Sequence, residues 1–210
     1  MTFATGTHEL LRHYSAFRTS IRARLADFAA VPPSEYFYEL LYCLLTPQSS
    51  AVNADAVVQK IRAGGFFGRA FDVEPILRDP AHYIRFHRVK ARRLLEARER
   101  YHETMRILSS ELPPIELREA LVRHVNGFGL KEATHFLRNI GRSAGLAILD
   151  RHILRNLVRC GVIRSIPPTL TRRRYLQIEG QFDRFARTIG IPLDELDLAF
   201  WSMETGEIRK

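Results

Sequence analysis

The stretch His124 to Asp150, HVNGFGLKEATHFLRNIGRSAGLAILD, decides how the rest of the chain is read. Within it, Val125-Asn126-Gly127-Phe128-Gly129-Leu130 places two glycines two apart between two helical runs. Glycine has no Cβ, so the backbone can turn tightly there with its N–H groups unobstructed, a geometry suited to cradling a phosphate. Many helix–helix connections use glycine with no ligand at all, and the hairpin by itself leaves both readings open. Lys131 follows at the start of the next helix, and Asp150 closes the stretch just before another apolar helical run.

Working outward, the flanking periodicity is helical. Ile115 to Val125 is expected to form the helix before the hairpin and Lys131 to Ile140 the one after it, with Gly141 as its cap, so a helix-hairpin-helix covers about residues 115–141. Upstream, apolar residues at 89, 94, 95, 101, 105 and 108 predict one long surface helix from Val89 to Leu108, bounded by a break near Phe86-His87-Arg88 and by Pro113-Pro114. Glu9 to Ala29 carries Leu10, Leu11, Tyr14, Phe17, Ile21, Leu25 and Phe28 at three- and four-residue steps. Ser34 offers an N-cap to a second helix, SEYFYELLYCLLT, which is apolar nearly all round and belongs in the middle of the core. Pro47-Gln48-Ser49-Ser50 makes a polar turn before Ala51 to Ile61, and Asp79-Pro80 opens a short helical piece. Ile148 to Cys160, Thr171 to Thr188 and Leu193 to Thr205 complete an all-α count. Period-two alternation is nearly absent, and no repeat or long linker interrupts the chain. Any two lobes must therefore share a groove and be joined by more than one crossing of the chain, within a single unit of residues 1–210.

Composition limits the classes of partner. A 210-residue chain with 46% hydrophobic residues can bury an ordinary core, and a formal charge of +9 with the excess in arginine suits a phosphate-rich partner. Cys43 and Cys160 lie far apart in apolar segments with no zinc or iron–sulfur spacing, and are expected to be buried thiols. The histidines show no metal-binding pattern with a carboxylate, and no nucleotide fingerprint or G-x-S-x-G is present, so no metal or cofactor is expected. The N-terminus lacks a long apolar segment, which points to an intracellular, cytoplasmic or nucleoid-associated protein with no membrane partner.

The hairpin and its surroundings resemble the helix-hairpin-helix of the base-excision DNA glycosylase superfamily. V-N-G-F-G-L-K matches that pattern at the glycines, the apolar flanks and Lys131, with Asn126 where proline is usual. L-D-R-H-I-L-R, from Leu149 to Arg155, matches the second motif at the expected separation. K-E-A-T-H-F-L-R-N-I-G, the upstream L-T-P-Q-S-S and the terminal W-x-x-x-T-G-x-I-x-K are similar to the second class of 8-oxoguanine DNA glycosylase/lyases, over most of the chain from about residue 35. The resemblance implies a two-lobed helical fold with the active site in the groove between the lobes. It implies double-stranded DNA containing oxidised guanine as partner, with no obligate protein partner. It also implies Lys131 as nucleophile, Asp150 as its catalytic partner, and a C-terminus that contributes to the pocket for the damaged base.

The residue chemistry agrees with those roles without compelling them. An amine that attacks the sugar C1′ expels the base, and the resulting imine acidifies the 2′ hydrogen so that elimination breaks the strand. Only the neutral amine attacks, and the positive end of a helix dipole disfavours the ammonium. On residues alone, Lys131 also reads as a surface lysine, and Asp150 as the N-cap of its helix. Asn126, Gly127 and Gly129 are candidates for DNA-backbone contact. A flipped nucleotide leaves a gap that must be filled, and Gln48 or the loop with Phe86 and Arg88 are the candidates. Phe86 reads equally as core and Gln48 as a helix end. Trp201 would stack on a purine or fill the core, and Lys210 would fold into the site or fray. Arginines at 88, 92, 93, 98 and 100 and at 172–174 are candidates for tracking phosphates, and equally for a solvated face. The alternatives are a non-catalytic helix-hairpin-helix DNA-binding module and a related glycosylase with another base preference.

Overall fold

The computed structural model describes residues 4–208, and among them every regular element is helical. In chain order these are α1 (Thr5–Ala29), α2 (Tyr36–Leu45), α3 (Ala51–Ala63), α4 (Glu74–Arg78), α5 (His87–Glu99), α6 (Tyr101–Leu108), α7 (Pro114–His124), α8 (Leu130–Asn139), α9 (Arg151–Arg159), α10 (Arg172–Ile189) and α11 (Leu193–Thr205), with 3-10 turns at Pro33–Glu35 and Pro80–His82. The chain divides into two compact units, residues 32–136 and residues 1–31 with 137–210, and so passes between them twice.

In the unit of 32–136, α2 is the buried centre that its nearly all-round apolarity predicts: Phe37 and Leu40 through Leu45 are all buried. It packs on α3 and α5. Ser34 does not cap it. The residue lies inside the 3-10 turn, and Glu35, the residue at the cap position, makes no side-chain cap bond. Pro33 explains the shift, because its fixed φ starts a tight turn one residue earlier. Ser50 does cap α3, and Asp79 caps the turn that Pro80 opens.

The expected long helix from Val89 to Leu108 is two helices that meet at Arg100, whose backbone stands at φ −97° and ψ 11°. Neither proline nor glycine marks the break. The Arg100 guanidinium donates to the His124 carbonyl, 3.2 Å, and to Glu103, 3.0 Å, tying the bend to the end of α7. Tyr101 then enters an aromatic cluster with Phe37 and Phe67, at centroid distances of 5.1 and 5.6 Å. Burial there pushes its hydroxyl up to about 12. The buried face of α5 also differs from expectation. Val89 is exposed, whereas Lys90, Ala91, Leu94 and Ala97 are buried.

In the other unit, α1 packs on α9 and α11, burying Leu10, Ile21 and Phe28. Phe17 instead stays 41% exposed, stacked on His13 at 4.5 Å. Tyr14 and Arg22 converge on the buried Glu195 of α11, and Arg138 pairs with Asp197 at 3.3 Å while lying over the Phe28 ring. Gly141, at φ +69°, ends α8 against Ala29, where a Cβ would come within 2.6 Å of the Ala29 backbone. The helix predicted from Ile148 begins three residues later, at Arg151, because Asp150 caps it. Cys43 and Cys160 are buried thiols not joined in a disulfide, and burial raises the Cys160 thiol to about 11.

Candidate active site

The hairpin is closed by a hydrogen bond from Phe128 N–H to the Val125 carbonyl, 3.1 Å. Gly127 adopts φ +99°, a conformation that favours glycine, and a Cβ there would come within 2.7 Å of Arg93. Gly129 is the cap of α8, its carbonyl accepting from Ala133 N–H at 3.0 Å. Its own N–H donates to Glu132 Oε2, 3.1 Å, so this amide is already occupied by a carboxylate in the helix's first turn. That half of a capping box is visible in the sequence as a glutamate three residues after the cap, a signal the sequence reading did not use. Asn126 is exposed and donates through Nδ2 to Glu96, 2.9 Å.

Lys131 sits in the first turn of α8 with its side chain 25% exposed. Its Nζ lies 3.9 Å from Glu132 Oε1, an ion pair too long for a hydrogen bond. A second amine in the same unit is positioned very differently. Lys90, 2% exposed, donates through Nζ to the Leu45 carbonyl at 2.7 Å, the Pro47 carbonyl at 2.7 Å and Ser49 Oγ at 3.1 Å. Burial, and then the neighbouring charges of Arg93 and Lys131, lower it from its ordinary value to about 8. Lys90 was missed in the sequence because a lysine beside apolar Val89 reads as the solvent face.

The turn held by Lys90 contains Gln48, exposed and at φ 55°. Phe86, the residue before α5, is 49% exposed at φ 60°, with the Arg85 guanidinium 4.9 Å above its ring. Among the described residues these two alone combine a side chain with left-handed backbone, at about 1–2 kcal/mol each. The core reading of Phe86 therefore fails. Arg88 is 79% exposed, its Nε 3.5 Å from Glu74.

In the other unit, Asp150 is the N-cap of α9. One oxygen, Oδ1, accepts from both His152 N–H and Ile153 N–H at 2.8 Å. Trp201 of α11 is partly buried, its ring edge-on to His152 at 6.4 Å. Nearby, Glu204 gathers Arg155, Arg159, His152 and Asn156, a cluster unnoticed in sequence that fixes the last turn of α11 to α9. Lys210 lies outside the described residues. Of the arginines expected to face phosphates, Arg98 donates to the Phe66, Phe67 and Gly68 carbonyls and Arg100 closes the bend, so both serve the fold. Among the described residues no group of three or more His, Cys, Asp or Glu could hold a metal, and no helix is long and apolar enough to cross a membrane.

Comparison with known proteins places this arrangement. Residues 21–191 match the family model for 8-oxoguanine DNA glycosylase with its helix-hairpin-helix. An 8-oxoguanine DNA glycosylase/AP lyase of Fusobacterium nucleatum is 36% identical over 97% of each chain. The crystal structure of the Methanocaldococcus jannaschii 8-oxoguanine DNA glycosylase aligns with a TM-score of 0.84 at 32% identity over 97% of each chain. That of the M. jannaschii glycosylase/lyase with a 15mer DNA containing 8-oxoguanine aligns at 0.83 and 32%, covering 96% of this chain and 100% of the other.

Proposed function

This chain belongs to the 8-oxoguanine DNA glycosylase family, and on that premise we propose that it excises 8-oxoguanine from duplex DNA and cleaves the strand at the abasic site it creates. The whole chain of 1–210 acts as one catalytic unit in this reading, inside the cell, with damaged duplex DNA as its partner.

The reaction follows from what each residue can do. Lys131 Nζ, once neutral, attacks C1′ of the flipped nucleotide; the N-glycosidic bond breaks and the base leaves with its electron pair, taking up a proton. The C1′–O4′ bond then breaks with its electron pair going to O4′, which takes up a proton, while the amine gives up its remaining protons, giving an imine between Nζ and C1′. Loss of a 2′ proton to a base then expels the 3′ phosphate by β-elimination, and water releases the lysine. Asp150, whose Oδ1 accepts from two amide N–H groups, stabilises positive charge growing on the sugar as the base departs. Gly127, Gly129 and Asn126 contact the DNA backbone; Gln48, Phe86 and Arg88 fill the gap left by the flipped nucleotide; Trp201 and Lys210 form the base pocket.

The observation that carries the reading is the placement of Lys131: partly buried in the first turn of the helix that leaves the glycine hairpin, with its ammonium outside hydrogen-bond reach of Glu132. Borohydride reduction of the protein on an 8-oxoguanine duplex tests it. A covalent protein–DNA adduct is expected with the wild type and none with Lys131→Gln. Normal trapping by the variant would sink the assignment.

A further inference from the structure

Lys90 places a cation where a core residue would otherwise serve, and its three acceptors share one feature: Leu45, Pro47 and Ser49 all belong to the end of α2 and the turn that carries Gln48. The lysine itself stands in the first turn of α5, where its N–H donates to the carbonyl of Phe86 at 3.0 Å. It is thus tied to Phe86 along the helix and to the Gln48 turn through its ammonium. Ser49 makes the link reciprocal. Its Oγ accepts from Lys90 and also, at 3.0 Å, from Arg85 N–H. Gln48 and Phe86 are therefore each next in the chain to one partner of that bond. A further tie, from Asn53 Nδ2 to the Tyr83 carbonyl at 3.2 Å, joins the start of α3 to the same loop.

Among the described residues these two are the side chains held in strained backbone, and both are exposed. Glycine would adopt either conformation without strain, so a glutamine and a phenylalanine kept there point to side chains that are used. We infer that Lys90 and Ser49 form a clasp that sets the Gln48 turn and the Phe86 loop in one register, so that both side chains enter the same gap when a nucleotide leaves the stack. Lys90 and Ser49 are positioning residues: they touch neither base nor sugar, and their effect passes through Gln48 and Phe86. The inference rests on the glycosylase reading above.

The test compares two substrates in single-turnover excision: 8-oxoguanine paired within a duplex, and the same lesion in an unpaired bubble, where no base must be pulled from a pair. Ser49→Ala deletes the shared hydroxyl, Lys90→Met deletes the ammonium at similar length, and Ser49→Thr restores the hydroxyl. The expected result is a loss of about tenfold or more on the duplex for Ser49→Ala and Lys90→Met, no more than about twofold on the bubble, and near wild-type rates for Ser49→Thr. Equal losses on both substrates, or no loss on either, would overturn the clasp. Should Lys90→Met fail to fold, the serine pair decides alone, since a half-buried hydroxyl is removed without a cavity of consequence. Wild-type protein inactive on both substrates would overturn the glycosylase reading and the clasp with it.

Discussion

Asp150 offers a clean separation of folding from chemistry, because a single oxygen does the capping. Oδ1 takes both amide hydrogens at 2.8 Å, and Asp150→Asn can present its amide oxygen to the same two donors. Aspartate and asparagine cap helices about equally well, so the substitution should cost only a few tenths of a kcal/mol, whereas Asp150→Ala should cost about 1 kcal/mol, within a range of ~0.5–2. For a protein of this size that places the asparagine variant within about 1 °C of the wild-type melting temperature and the alanine variant about 2–4 °C lower. The chemistry should respond in a different order. If Asp150 has the electrostatic role proposed for it, removing its negative charge should slow excision by about 10²–10³-fold in the asparagine variant, comparable to losing one oriented electrostatic group at other active sites. Melting curves with single-turnover excision and equilibrium duplex binding, all on the same preparations, give the three readouts. If Asp150→Asn melts as low as Asp150→Ala, or if it excises at wild-type rate, Asp150 is a cap and nothing more.

Two further outcomes bear on other parts of the molecule. Lys90 falls from an ordinary 10.5 to about 8 on folding, through burial and then the charges of Arg93 and Lys131. Between those values the unfolded chain holds a proton that the folded protein has released, so folding gains stability as pH rises through that window, and the penalty of the ammonium is fully present below pH 8. Relative to Lys90→Met, the wild type should gain up to about 3 kcal/mol of unfolding free energy from pH 7 to 10.5, measured by denaturant titration; a constant difference would contradict the buried ammonium. Deleting residues 208–210 should lower excision of 8-oxoguanine about tenfold or more while sparing cleavage at a preformed abasic site. Equal loss of both activities would remove the tail from base recognition.

What the sequence made legible was whatever depends on neighbours along the chain. The core helix from Tyr36 to Leu45, the cap at Asp150 and the stop at Gly141 all follow from an apolar run, a carboxylate at a helix start and a glycine after the last apolar position, which the structure places at φ +69°. What stayed hidden depends on groups distant in sequence. The bend at Arg100 is held by His124, and neither residue breaks helices, so apolar spacing predicts one continuous element where there are two. Lys90 is buried only because three acceptors some forty residues upstream receive its ammonium, which no reading of polar and apolar positions along α5 reveals. Ser34 failed as a cap for the local reason that Pro33 begins the turn first.

The same distinction revises what the basic composition means. A charge of +9 suggests an arginine-rich face for phosphates, yet many of these arginines are committed to holding the chain. Arg98 gathers three carbonyls of the 66–68 turn, Arg100 ties α6 to α7, Arg138 pairs with a buried aspartate, and Arg159 with Glu204. A guanidinium with several donors in a fixed fork suits this work, since it satisfies backbone acceptors where helices end. Each arginine so used is withdrawn from counterion release on DNA, so affinity for duplex should depend on salt less steeply than the formal charge implies. On the proposed reading, specific action on one nucleotide then rests less on bulk charge than on how a few side chains are set, as the turn carrying Gln48 and the loop carrying Phe86 are by Lys90 and Ser49.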